Sequence, residues 1–151
     1  ATLTIDVIRS NTAPNAVDDT ASVAEDGNVA GNVITDAPGI DTDAEGDAFT
    51  LTGFTIGASP TINLPIGAGG GPVIIPGVGL FLIATDGAWD FTPDADYDGA
   101  VPAITYTVED TFGATSTATL TISIVPANDA RTYLSRVVPS LLVEGMTLAG
   151  A

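Results

Sequence analysis

Ala118-Thr119-Leu120-Thr121-Ile122 occurs twice in this chain, since residues 1–5 spell Ala1-Thr2-Leu3-Thr4-Ile5. In both copies apolar residues alternate with threonine, the period of a strand with one buried face. The later copy extends through Ile124, and the earlier one through Val7. The echo continues past the strand, with Asn11 and Ala13 standing where Asn128 and Ala130 stand, at the same offset of 117 residues. A second echo links Glu25 and Val29-Ala30-Gly31 to Glu144 and Leu148-Ala149-Gly150, now offset by 119. Self-similarity at a fixed period marks a repeat architecture. Residues 1–10 are therefore expected to be the terminal strand of a preceding or neighbouring domain. Residues 11–130 form a complete domain, and residues 131–151 a tail, either the first strand of a following repeat or an inter-subunit contact.

Working inward from the two copies, the chain reads as short strands separated by turns. Asn11-Thr12-Ala13-Pro14-Asn15 is a break, and strands are expected at 20–24 and 28–35 around the turn Glu25-Asp26-Gly27. Residues 49–56 read as a strand with a possible bulge, because Phe49, Leu51 and Phe54 cannot share one face of a regular strand. Residues 57–79 are rich in Gly and Pro, with strand pieces at 61–64 and 73–75. Residues 80–85 and 88–92 flank Asp86-Gly87, a favoured pair for a two-residue type I′ hairpin. That turn sets Ala84 opposite Trp89 and Leu82 opposite Phe91, and these four are expected at the centre of the core. Ile104, Tyr106 and Val108 alternate with polar residues, and after the turn Asp110-Thr111-Phe112-Gly113 comes the later copy of the opening motif. Many short strands, regular turn signals and no helical period indicate an all-β sandwich.

Composition narrows the function. The chain of 151 residues carries 19 acidic residues and three arginines, Arg9, Arg131 and Arg136, for a net charge of −16. Nucleic acid and anionic membranes are bound through Lys and Arg, so neither is an expected partner, and no segment is built for membrane insertion. With no Cys there is no disulfide framework and no thiolate metal site. With no His and no Lys the common activating bases of hydrolases are absent, so no enzyme is expected. Gly67-Ala68-Gly69-Gly70-Gly71 opens no helix and no Lys follows it, which makes it a loop and not a phosphate cradle.

Cations remain. Asp41, Asp43, Glu45 and Asp47 place carboxylates at every second position, and Ca²⁺ takes 6–8 oxygen ligands that such a loop can supply. The bland alternative is a solvated acidic loop, but carboxylates this close repel one another without a cation between them. Asp94, Asp96, Asp98 and Gly99 spell the start of an EF-hand-like loop. Thr105 stands where its twelfth-position Glu belongs, which counts against a metal there. Asp18, Asp19, Asp110, Asn128 and Asp129 are further candidates, far apart in sequence but expected near the domain ends.

The stretch from Asn11 to Asp129 resembles a repeat of large bacterial surface adhesins, of the cadherin-like and VCBS-like immunoglobulin-type class. The resemblance lies in Asn11-Thr12-Ala13-Pro14, Asp18-Asp19, Glu25-Asp26, Asp41-Thr42-Asp43-Ala44-Glu45-Gly46-Asp47 and Phe91-Thr92-Pro93. It continues through Tyr97-Asp98-Gly99, Val101-Pro102, Thr105-Tyr106-Thr107-Val108-Glu109-Asp110 and Ala127-Asn128-Asp129-Ala130. It implies an immunoglobulin-like (cadherin-like) β-sandwich, export from the cell, Ca²⁺ at or near domain junctions, and a spacer role in fibres or biofilm adhesins. In that class, residues such as Asp18, Asp19, Asp110, Asn128 and Asp129 meet at the junction. The expected function is thus a calcium-binding structural spacer in cell adhesion, outside the bacterial cell. A filament subunit joined by strand exchange and a glycan-binding module carried on residues 57–79 are the alternatives. Partners are expected to be neighbouring repeats or identical subunits, engaged through the terminal strands.

Overall fold

The computed structural model describes residues 1–6, 8–36, 38–63 and 71–127. Nine strands among the described residues form two sheets. The first orders β1 (Asp19–Ala24), β9 (Thr115–Val125), β8 (Ile104–Asp110), β3 (Phe49–Ile56) and β4 (Ile62–Asn63) as β1-β9-β8-β3-β4. The second orders β2 (Val29–Asn32), β7 (Ala88–Pro93), β6 (Gly79–Ile83) and β5 (Val73–Ile75) as β2-β7-β6-β5. No helix occurs among the described residues. The two sheets bury one face each, and the shared layer contains Leu51, Phe54, Phe81, Phe91, Ile104, Tyr106 and Leu120. The alternation read from β8 and β9 is the one observed: Ile104, Tyr106 and Val108 point inward, as do Ala118, Leu120 and Ile122.

The expected bulge in β3 is present. The register against β8 shifts between Leu51 and Gly53, which lets both Leu51 and Phe54 face the core. Gly53 sits there because a Cβ would come within 3.0 Å of the Ile62 carbonyl on β4. Strand β2 is shorter than expected. Asn32 ends it by turning its side-chain Oδ1 to accept the N–H groups of Ile34 and Thr35, a local competitor to ladder pairing.

The β6–β7 hairpin corrects the expected core by one residue. Ile83 pairs with Trp89, and Phe81 with Phe91. The Gly87 N–H donates to the Ala84 carbonyl, and the Ala84 N–H to the Ala88 carbonyl. The loop is thus three residues, Thr85, Asp86 and Gly87, with Gly87 at φ 84°, and not a two-residue Asp-Gly turn. A slip of one residue turns a strand over. Phe81 and Ile83 are fully buried in place of Leu82 and Ala84, while Trp89 and Phe91 lie in the core as expected. The Phe54 and Phe81 rings meet edge to face with centroids 5.8 Å apart, and Trp89 stacks on Phe81 with centroids 6.5 Å apart.

Strand β9 makes two unlike pairings. It runs antiparallel to β8 and parallel to β1, with Asp19 opposite Leu120 and Ala24 opposite Val125. Because the first and last strands are parallel, the chain enters the sandwich at one pole and leaves at the other. Residues 1–6 and 8–10 form no strand, and Leu3, Ile5 and Ile8 are exposed. The domain's own β9 already fills the position between β1 and β8 that such a strand would take. The tail, with Asn128 and Asp129, lies outside the described residues.

The hairpin register makes a testable difference. Ile83→Ala is expected to cost about 2–5 kcal/mol of stability in urea unfolding, the range for a buried large-to-small change. Leu82→Ala is expected to cost about 1 kcal/mol or less, since part of its apolar surface remains in water. A two-residue turn would reverse that order.

Candidate cation site

The loop 41–47 is shaped by its own carboxylates. Asp43 accepts the N–H groups of Glu45 and Asp47 on one oxygen, Oδ1, both at 2.9 Å. This Asx-type turn, with Gly46 at φ 74°, folds the chain back on itself. It brings Asp43, Glu45 and Asp47 together so that one carboxylate oxygen of each lies within 4.8 Å of the others. No other group of three or more such side chains gathers this closely among the described residues.

One oxygen of each aspartate in the loop is fixed and the other is left over. Asp43 is held through the two N–H groups, and Asp47 Oδ1 lies 2.8 Å from the Arg9 guanidinium. Asp41 Oδ1 accepts the Val17 N–H at 2.8 Å. In all three the second oxygen, Oδ2, is buried without a hydrogen-bond partner among the described residues. Buried oxygens are normally paired, so each is a point of unmet demand for a proton or a cation. Those of Asp43 and Asp47 belong to the three-carboxylate cluster, whereas Asp41 stands apart from it.

Residues 9–12 bind this loop to the β8–β9 turn. Arg9 also donates to the Glu45 carbonyl and lies 5.6 Å over the Phe112 ring. Thr12 donates to both Glu45 carboxylate oxygens, through its hydroxyl at 2.8 Å and its N–H at 3.2 Å. Asn11 donates to Asp110 Oδ2 at 2.8 Å, while Asp110 Oδ1 accepts the N–H groups of Phe112 and Ala114. Burial pushes the Asp110 carboxyl up, but these hydrogen bonds outweigh it and hold the group below the ordinary 3.8. Sequence reading did not reveal this wiring. The signal was there in Arg9, the one basic side chain before Arg131, placed beside the break at 11–15.

Asp18 and Asp19 do not join the cluster. Asp18 accepts the Thr119 N–H at 2.8 Å and helps align β9. Asp19 is buried, with Oδ2 3.0 Å from the Tyr106 hydroxyl. That hydroxyl also lies 3.0 Å from the Val17 carbonyl and 3.3 Å from that of Val33, and it has one proton for three acceptors. Burial is the main force pushing the Asp19 carboxyl from 3.8 to about 6. Repulsion from Asp41, Asp36 and Asp18 adds to it, and the Tyr106 hydrogen bond opposes it. Asp41 rises to about 6 for the same first reason, opposed by the hydrogen bond from the Val17 N–H and by its nearness to the Tyr106 hydroxyl. Segment 94–98 is a turn, in which the Tyr97 N–H donates to the Asp94 carbonyl and the Asp96 N–H to Asp26.

An all-β sandwich of two sheets, entered at one pole beside an acidic loop and left at the other, defines an immunoglobulin-like domain. The chain belongs to the bacterial cadherin-like domain family, whose model matches residues 11–126. No curated protein sequence matches it. Among solved structures it is similar to a nucleoside hydrolase-related hypothetical protein from Saccharophagus degradans, described as associated with carbohydrate metabolism. That similarity has 11% identity and a TM-score of 0.49, and it covers 77% of this chain and 26% of the other.

The buried acids set the pH response. Asp19 and Asp41 titrate near 6 when folded and near 3.8 when unfolded, so between these values the folded state holds more protons. Stability is therefore expected to rise as pH falls from about 7 towards about 4, and to be lost as pH rises through 6. Urea midpoints measured with chelator across that range test this. Asp19→Asn combined with Asp41→Asn should flatten the slope, and an unchanged slope would assign it to the surface acids.

Proposed function

We propose that this domain is a spacer module of an extracellular bacterial adhesin or matrix fibre, and that its 41–47 loop takes Ca²⁺. The observation that carries the reading is the parallel pairing of β1 with β9, which sends the chain in at one pole and out at the other. A module threaded in this way extends a chain by its own length, and β9, at 11 residues, spans roughly 36 Å. Family membership supports the structural role, and the acidic surface suits a secreted protein in a cation-rich medium. Catalysis finds no support, since neither His nor Lys is present to activate a nucleophile.

The support for Ca²⁺ is the donor set. Asp43, Glu45 and Asp47 offer hard carboxylate oxygens, the chemistry that Ca²⁺ prefers, and two of these residues carry a buried oxygen with no partner among the described residues. The ion would neutralise mutual repulsion in a chain of net charge −16 and would fix the loop to which residues 9–12 are tied. The glycan alternative finds less. The described part of the 57–79 segment lines an apolar groove with Pro60, Ile62, Val73 and Ile75, next to Ile56, and offers no aromatic ring for a sugar face.

Chelator is expected to lower the melting temperature of the Ca²⁺-loaded domain, and Ca²⁺ to restore it. At about 100 times its dissociation constant the ion should add about 2.7 kcal/mol. Mg²⁺, which demands tighter octahedral geometry, should restore little. Asp43→Asn keeps an oxygen for the two N–H groups but removes the charge, and should reduce the Ca²⁺ response several-fold. A melting temperature indifferent to chelator and Ca²⁺ would end the calcium reading.

A further inference from the structure

We infer that residues 1–8 are the closing strand of an upstream copy of this fold, seated between that copy's equivalents of β1 and β8. The inference rests on the spacer reading for the identity of the partner, and it is independent of calcium. Its ground is the coincidence of sequence register with burial. At the offset of 117, residues 1–8 fall on residues 118–125 of β9, and the two segments differ at three positions only: Asp6 for Ser123, Val7 for Ile124 and Ile8 for Val125. Leu120 and Ile122 are 0% and 3% exposed in β9, whereas their counterparts Leu3 and Ile5 are 83% and 74% exposed. The differing positions are the tolerant ones, since Ser123 and Val125 are exposed and Ile124 is half-buried. An alternating strand left in water is an association hazard that a sheet partner removes.

The same register describes the junction. At the exit pole Glu25 clamps the end of β9, donating its N–H to the Val125 carbonyl and accepting the Ala127 N–H on Oε2 at 2.9 Å. Ser10 is the counterpart of Ala127, so the upstream copy would grip the chain at Ser10. This domain grips it at Arg9, Asn11 and Thr12. The two grips interleave and leave no slack, so the junction is stiff by construction of the chain itself. A second intact copy of the same chain is a poor partner, because its own β9 occupies the position that residues 1–8 would need.

The test splices residues 11–117 directly ahead of Ala1 of the full chain, so that Thr117 is followed by Ala1 and residues 1–8 become the last strand of a new upstream unit. Two folded units are expected, and the amides of Leu3 and Ile5 should exchange at least about 100-fold more slowly than in the 151-residue chain. Leu3→Asp should unfold the upstream unit of the spliced chain and leave the melting temperature of the 151-residue chain unchanged. A second variant keeps the question open to refutation if the spliced unit fails to fold. Ser123→Asp with Ile124→Val and Val125→Ile makes residues 118–125 read as residues 1–8, and it should melt within a few degrees of the parent. Loss of the fold in that variant overturns the inference. So do equal exchange rates in the spliced and parent chains, or an upstream unit that ignores Leu3→Asp. None of these outcomes bears on the calcium reading, which the chelator experiment on the parent chain judges separately.

Discussion

Strand β9 lies between β1 and β8, and closure of the domain depends on that one placement. Without it β1 has no partner in its sheet, β8 becomes an edge, and Leu120 and Ile122 leave the core. The strand is the last of the domain to appear along the chain, and its partner β1 is the first, with about 100 residues between paired positions. Closing a loop of that size is entropically costly, and the ladder and apolar face of β9 must offset it together. The strand is accordingly the longest of the nine, and three of its side chains reach the core. Asp18 reinforces the parallel seam from outside by accepting the Thr119 N–H.

That seam also explains which parts of the fold were legible in the sequence. Period-two alternation depends only on neighbours in the chain, so β8 and β9 could be read residue by residue. The bulge in β3 was legible for the same reason, because Leu51 and Phe54 break the period. The β6–β7 turn was misread by one residue. Asp-Gly suits a two-residue turn, yet it also completes a three-residue loop in which only the glycine adopts positive φ. The choice is settled by which of Phe81-Ile83 or Leu82-Ala84 better fills the sandwich, and that is a tertiary matter. Nothing local announced the parallel pairing of β1.

The acidic residues divide in the same way. Asp43, Glu45 and Asp47 were visible as a group because one short turn brings them together. Asp41 was read with the loop ligands and Asp19 with the junction ligands, since aspartate is seldom buried without a partner. Their burial follows from β1 and the 41–42 segment packing around Tyr106, which joins positions 17, 19, 33 and 106 through one hydroxyl. Gly39 is part of that packing, because a Cβ there would collide with Asp19 Oδ1.

The two sets of acids ask for different counter-charges, and hydrogen-bond bookkeeping tells them apart. Around Tyr106 the surrounding groups are nearly all acceptors: two backbone carbonyls, the Asp19 carboxylate and the nearby Asp41. A set of acceptors with one hydroxyl proton among them is completed by another proton, and burial, which raises both Asp19 and Asp41, favours that protonated form. In the 43–47 turn the donors come first. Backbone N–H groups fix Asp43, Thr12 fixes Glu45 and Arg9 fixes Asp47, so the carboxylates are already oriented. What is left is a pair of buried oxygens, on Asp43 and Asp47, within a cluster that has used its available donors. A proton would satisfy one oxygen, whereas a divalent cation can satisfy both at once. The same argument gives Arg9 its role. Of the loop's carboxylate oxygens it pairs with Asp47 Oδ1, and it also donates to the Glu45 carbonyl, so it docks the entering chain on the loop and leaves the Oδ2 atoms of Asp43 and Asp47 without a partner among the described residues.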